Sequence, residues 1–174
     1  MKSSTCINYF FIFLHISYFL LTESSANIVS QTCQHTPNPN LCISTLNSDP
    51  KSSTAADVSG LTIIGANILS RNAASTKDKI SSLLKNTPST DRQLVKSLKC
   101  SEELYNLIVT ADIPEIIEAV TKGDPKFGQD GADDVSLEAD TCQKCFLNSS
   151  PIHQRNMFVH DFSVVLSSMI QMLL

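Results

Sequence analysis

Near the end of the chain, apolar residues recur at Val159, Phe162, Leu166, Met169 and Leu173, in steps of three and four. That rhythm keeps one stripe of a 3.6-residue helix apolar, as in a coiled-coil seam. Ser150 and Pro151 just ahead supply a capping hydroxyl and a proline for the first helical position. Asp161, Ser163, Ser167 and Gln171 interrupt the apolar run, so the segment reads as a core helix rather than a membrane span. The same rhythm appears upstream. Leu61, Ile64 and Ile68, then Ile80, Leu83 and Leu84, predict a helix from Asp57 to Asn86, ended by Pro88. Leu94, Leu98, Tyr105, Ile108 and Val109 predict another, opened by the Ser89–Thr90–Asp91 cluster. Pro114 should kink or break that helix before Ile116, Ile117 and Val120 continue it to a stop at Gly123. A shorter helix is expected over Val135–Leu147. Nowhere does a period of two persist, so strands have no support. The fold predicted is all-α: an up-down-up-down four-helix bundle over 55–174, preceded by a helical hairpin over 27–50 that Pro37 and Pro39 bend.

Two stretches depart from this periodicity. From Lys122 to Gly131, three glycines and a proline fall within ten residues, which reads as a loop. From 124 to 140 there are six acidic residues and a single cation, Lys126. A solvated acidic loop accounts for that composition, but not for Phe127, an aromatic among polar neighbours with the composition of a binding anchor. The other departure is the N-terminus. Six of the eleven aromatics lie in the first 19 residues, in an apolar run from Ile7 to Leu21 that follows Lys2 and precedes Ser24 and Ala26. This is the pattern of an export signal cleaved after residue 26, leaving Asn27 first in a mature chain of 27–174.

Export changes the reading of the cysteines. Beyond Cys6 lie Cys33, Cys42, Cys100, Cys142 and Cys145, five thiols bound for an oxidising compartment, enough for two disulfides with one left over. Cys33 and Cys42 invite a local staple, and Cys100 would then pair with Cys142 or with Cys145. In the chain-entropy view, a loop of about ten residues is worth roughly 2.7 kcal/mol and one of about forty roughly 4. A formal charge of -4 and the lack of a basic stripe argue against nucleic acid as a partner. His35, His153 and His160 lack metal-ligand spacing. No phosphate loop or nucleophile elbow occurs, and the adjacent pairs Glu102–Glu103 and Asp133–Asp134 do not converge on one helical face. No enzyme, metal or cofactor is therefore expected. Asn148–Ser149–Ser150 is the one glycosylation sequon, at a helix junction.

These features together resemble the plant invertase/pectin methylesterase inhibitor family. The resemblance covers the whole mature chain: the export signal, Thr32–Cys33 and Leu41–Cys42, Cys100 followed by Tyr105, Cys142 and the apolar last helix. The run Glu115–Ile116–Ile117–Glu118–Ala119, then Lys122–Gly123–Asp124–Pro125–Lys126–Phe127, is similar to the invertase-inhibitor branch. Members of that branch use a Pro-Lys-Phe motif to enter the active site of acid invertase. The resemblance thus implies a secreted inhibitor of acid invertase (β-fructofuranosidase) in the cell wall or vacuole, forming a 1:1 complex. Asp124, Pro125, Lys126 and Phe127 would form its target-binding loop. The alternative on the same scaffold is a pectin methylesterase inhibitor. The resemblance also favours bridges Cys33–Cys42 and Cys100–Cys142, leaving Cys145 as a free thiol that departs from the family pattern.

Overall fold

The computed structural model describes residues 28–147 and 149–174. The expected export signal, Asn27 and the sequon asparagine Asn148 lie outside the described residues. Every regular element described is helical, as the apolar periodicity predicts. The first, α1, covers 28–34 and leads to α2 (Pro39–Asn47), where Asn38 accepts the Leu41 N–H at 3.2 Å and Pro39 occupies the first turn. A 3-10 turn over Pro50–Thr54 precedes α3 (Val58–Asn86), capped by Asp57, whose carboxylate accepts the Gly60 N–H at 2.8 Å. Asp91 does the same for Leu94 at 3.1 Å and opens α4 (Arg92–Leu107). These side chains satisfy backbone donors that a helix start otherwise leaves without partners.

Instead of breaking at Pro114, the chain widens into one π-type turn over Ile108–Asp112 and continues as α5 (Ile113–Lys122). Proline lacks an N–H, and its ring collides with the carbonyl four residues back, that of Thr110. A wider turn just upstream absorbs that misfit without ending the helix. The next element corrects the sequence reading. The stretch from Asp124, expected as a loop, is helical from Pro125, so that α6 spans Pro125–Lys144 instead of Val135–Leu147. Of the three glycines in that stretch, Gly128 and Gly131 lie against α5 and the turn before it and let them approach. The last helix, α7, begins at His153 and ends at Gln171. It starts two residues later than the expected Pro151, so Ser150 is not its N-cap: the Ser150 hydroxyl accepts the Ile152 N–H at 3.3 Å in the turn before the helix, which has no side-chain cap.

α3 packs on α4, α5 and α7, while α6 packs on α5 and α7. The expected seam of α7 is buried at Val159, Phe162, Leu166 and Met169, with Leu173 at the edge of the core. One polar chain crosses the interior. The Tyr105 hydroxyl donates to Asn156 Oδ1 at 2.9 Å, and Asn156 Nδ2 donates to the Ala139 carbonyl at 2.7 Å, tying α4, α7 and α6. Burial pushes the Tyr105 phenol far above its usual range, so it stays a donor.

Cys33 and Cys42 are bridged across α1 and α2, with Cα atoms 5.5 Å apart. The second bridge corrects the expected pairing: Cys100 joins Cys145 at a Cα separation of 6.2 Å, and among the described residues Cys142, rather than Cys145, is the free thiol. Ser97 explains the choice. Its hydroxyl donates to the Cys145 carbonyl at 2.7 Å, seating the end of α6 on the first turns of α4 beside Cys100. Cys142 lies a turn earlier on α6, buried near Ser101 and Tyr105, and burial pushes its thiol up to about 11. Cys100 and Ser101, neighbours on a helix, point roughly 100° apart, so the sulfur beside Ser101 is not the one that faces Cys100. Non-reducing peptide mapping should recover a Cys100–Cys145 peptide pair. A thiol held neutral and shielded is unreactive; iodoacetamide should label Cys142 only after denaturant is added.

Candidate functional site

α5 and α6 form a hairpin with only Gly123 and Asp124 between them. Gly123 takes φ +78°, the left-handed conformation that glycine adopts without a Cβ penalty. Its N–H reaches the Val120 carbonyl at 3.3 Å, and the Asp124 N–H reaches that of Ala119 at 2.9 Å. This paired closure of a helix C-terminus sets the direction of the chain leaving it. Pro125 then begins α6, with a φ already suited to the first helical position. Lys126 and Phe127 therefore stand in the first turn of a helix, at a corner closed on the α5 side by Gly123 and opened on the α6 side by Pro125.

The depth of the corner comes from two glycines. A Cβ on Gly128 would lie 3.1 Å from Val120 Cγ2, and one on Gly131 would lie 3.1 Å from the Asp112 carbonyl and 3.2 Å from Ile116 Cγ1. Only hydrogen at these positions lets α6 approach α5 so closely. The inner face of α5 is filled by Ile113, Ile116, Ala119 and Val120, and its outer face carries Glu115, Glu118 and Lys122.

That outer face, with Asp124 and Phe127, borders an open groove of about 650 Å³. Phe127 is 56% exposed, unusual for so large an apolar side chain. Lys126 pairs with Asp130, and Lys122 with Glu118, both one turn apart on their own helices. Glu118 is held below the usual carboxylate range by its bond to Lys122. Exposed pairs at this spacing are worth only about 0.3–0.5 kcal/mol, so a partner offering a better anion recruits either lysine at little cost. The structure thus brings all four expected residues, Asp124, Pro125, Lys126 and Phe127, onto one protruding corner. It adds Thr110, Ala111 and Pro114 as groove wall, which only the position of the wide turn reveals.

Behind the corner, two carboxyls meet without a cation. Asp112 in the wide turn and Glu138 on α6 each keep one buried oxygen, Oδ2 and Oε2, with no hydrogen-bond partner, and neither joins a salt bridge among the described residues. Glu138 is pushed up to about 8, first by burial, then by its bond and repulsion with Asp112, and further by Asp134 one turn back. Glu138, so placed, keeps its proton well above the usual carboxylate range. Because the folded state holds that proton more tightly than the unfolded chain, its stabilising contribution is complete below about pH 4.5 and is lost as the pH rises through about 8. Solvent reaches part of Glu138, so the loss should amount to about 1–2 kcal/mol. Urea unfolding followed across this range should show the decline, and Glu138→Gln should flatten it.

A family model described as plant invertase/pectin methylesterase inhibitor matches residues 27–172. Over 129 residues the chain is 45% identical to the Arabidopsis thaliana protein "cell wall / vacuolar inhibitor of fructosidase 1"; the match takes in 74% of this chain and 60% of that relative. The chain therefore spans about three fifths of the relative's length. Two solved structures share its fold. A mutant form of a pectin methylesterase inhibitor from Arabidopsis superposes with a TM-score of 0.72 at 18% identity, covering 83% of this chain and 95% of the other. A pectin methylesterase inhibitor from Arabidopsis thaliana superposes at 0.63 and 17%, covering 84% and 95%.

Proposed function

Because the chain belongs to the plant invertase/pectin methylesterase inhibitor family, we propose that it is an inhibitor of acid invertase, acting in the cell wall or vacuole as a 1:1 complex. The observation that carries this reading is the exposed Phe127 beside Lys126 on a corner that Gly123 and Pro125 make rigid. The relative that is 45% identical over 129 residues is named for fructosidase inhibition. The structures named for pectin methylesterase inhibition share only the fold.

Retaining glycosidases hold two carboxylates about 5 Å apart around the scissile bond. Lys126, on a flexible stem, gives up Asp130 and sets its ammonium against that pair, where the oxocarbenium charge of a sucrose substrate would otherwise be stabilised. Phe127 buries its ring at the rim, and the closed corner limits the entropy lost on docking. None of these groups carries out chemistry; the corner occupies the sugar's place. The test is a pair of inhibition assays. Mature protein should inhibit acid invertase stoichiometrically and be displaced by saturating sucrose, while pectin methylesterase remains active. Inhibition of the esterase but not the invertase would overturn the reading in favour of the other branch.

A further inference from the structure

The acidic net charge hides an uneven distribution. Residues 112–140 carry nine acids and two cations, whereas residues 77–99 carry six cations and two acids. The structure gathers the second group at the junction of α3 and α4. Arg92, Lys96 and Lys99 follow one another at i, i+4 and i+7, placing them on one face of α4. Lys85 comes from the last turn of α3. All four are exposed, and among the described residues none makes a salt bridge. The lysines of the hairpin and of the α6 end, by contrast, each hold a carboxylate one turn away.

The four cations border two adjoining grooves of about 490 and 540 Å³, which share Ser89, Val95 and Lys99. Cys100, bridged to Cys145, lines the first. The remaining polar lining is mostly hydroxyl, from Ser81, Thr87 and Ser89, with Glu102 held by a 3.0 Å bond from Ser81 and Glu103 at one margin. No aromatic side chain lines either groove, so nothing there stacks a nucleic-acid base. Nor, among the described residues, does a large exposed apolar side chain line either groove to enter a lipid surface. Unpaired point charges along a helix, interleaved with hydroxyls, match a ligand with a carboxylate on each ring and hydroxyls between.

We infer that the α3–α4 junction is a second binding site, which takes an unesterified polyuronate strand through Lys85, Arg92, Lys96 and Lys99. It is separate from the α5–α6 corner and does not rest on invertase inhibition. Contacts of this kind release counterions, so affinity falls steeply with salt in proportion to the cations engaged.

The experiment is affinity electrophoresis of the mature protein through gels containing polygalacturonate or its fully methyl-esterified form, over a series of salt concentrations. Retardation is expected with the unesterified polymer only. Lys96→Gln/Lys99→Gln and, independently, Lys85→Gln/Arg92→Gln should each weaken it by about tenfold at low salt and reduce the salt slope. Both pairs lie on exposed positions, so circular dichroism should show unchanged melting, and invertase inhibition should be unchanged as well. The inference is overturned if the esterified polymer retards the protein equally, or if both variants migrate like the parent. Equally tight binding to double-stranded DNA or anionic vesicles would also overturn it, as would loss of invertase inhibition in either variant.

Discussion

Phe162→Ala should lower the unfolding free energy by about 3–5 kcal/mol, the range for deleting a fully buried aromatic ring whose neighbours cannot close the gap. The ring is wholly buried and stacks on Phe158 with centroids 5.6 Å apart. Its far edge faces α3 at Gly65, where an added Cβ would lie 3.5 Å from Phe162 Cζ and 2.7 Å from Leu166 Cδ2. The side chain thus fills the space between two helix backbones held close by the absence of a Cβ. Truncation removes the ring and leaves a cavity, because α3 is fixed at this level by the neighbouring packing of Leu46 and Leu166. Gly65→Val tests the same contact from the other side and should also destabilise, by about 1–3 kcal/mol through overpacking. Gln171→Ala, on the exposed face near the end of α7, should change stability by less than about 0.5 kcal/mol. Urea denaturation at constant slope provides the measurement. If Phe162→Ala were as mild as Gln171→Ala, α7 would not be a core helix.

That helix was legible because its signal is local: a period of 3.6 carried by residues that are all large and apolar. The Asp91 cap and the helix start at Asp57 were legible for the same reason, since each carboxylate satisfies a donor three residues on, whereas the cap expected at Ser150 is not formed. What escaped the sequence depends on a second element. Gly128 and Gly131 resemble helix breakers when read along the chain. Across the α5–α6 contact they are the positions where a side chain would strike Val120, Ile116 or the Asp112 carbonyl. Glycine costs a helix roughly 1 kcal/mol against alanine, and close packing of the two helices offsets that cost. The disulfide shows the same limit. Cys142 and Cys145 are three residues apart on one side of α6, and no local pattern tells which sulfur faces Cys100. The seating of the Cys145 carbonyl on Ser97 decides it. The Asp112–Glu138 pair has no sequence signature either, because the π-type turn that delivers Asp112 to α6 arises only where Pro114 must be accommodated within a continuing helix. At the candidate site, Lys126 and Phe127 stood out by composition and Asp124 and Pro125 came with the family resemblance, but the conformation was not legible: Pro125, Lys126 and Phe127 stand in the first turn of a helix rather than in a loop.

That difference sharpens the expectation for the corner. A loop would lose conformational freedom on docking, whereas a helical turn opened by a proline is ordered beforehand, so more of each contact's energy appears as affinity. Phe127→Ala should weaken inhibition of acid invertase by about 2–4 kcal/mol, some thirty-fold to several hundred-fold, as for an aromatic anchor at the centre of an interface. Because the ring is exposed in the free protein, its removal should leave the melting temperature unchanged. Lys126→Ala should cost about 2–5 kcal/mol if its ammonium is desolvated against the target's carboxylates, which it would leave without a partner. Asp130→Ala separates this role from a structural one. Asp130 holds the same ammonium in the free inhibitor, and releasing it should preserve or slightly improve inhibition, since one competing anion is gone. If the Lys126–Asp130 pair mattered only for holding the first turn of α6 together, Asp130→Ala would weaken inhibition as much as Lys126→Ala does. Lys144→Ala removes a lysine with the same pairing pattern, to Asp140, at the far end of α6, and should leave inhibition untouched. Inhibition constants from sucrose-hydrolysis assays for these four variants, with melting temperatures alongside, decide the matter. The active-site role of the corner fails if Phe127→Ala and Lys126→Ala both inhibit like the parent protein.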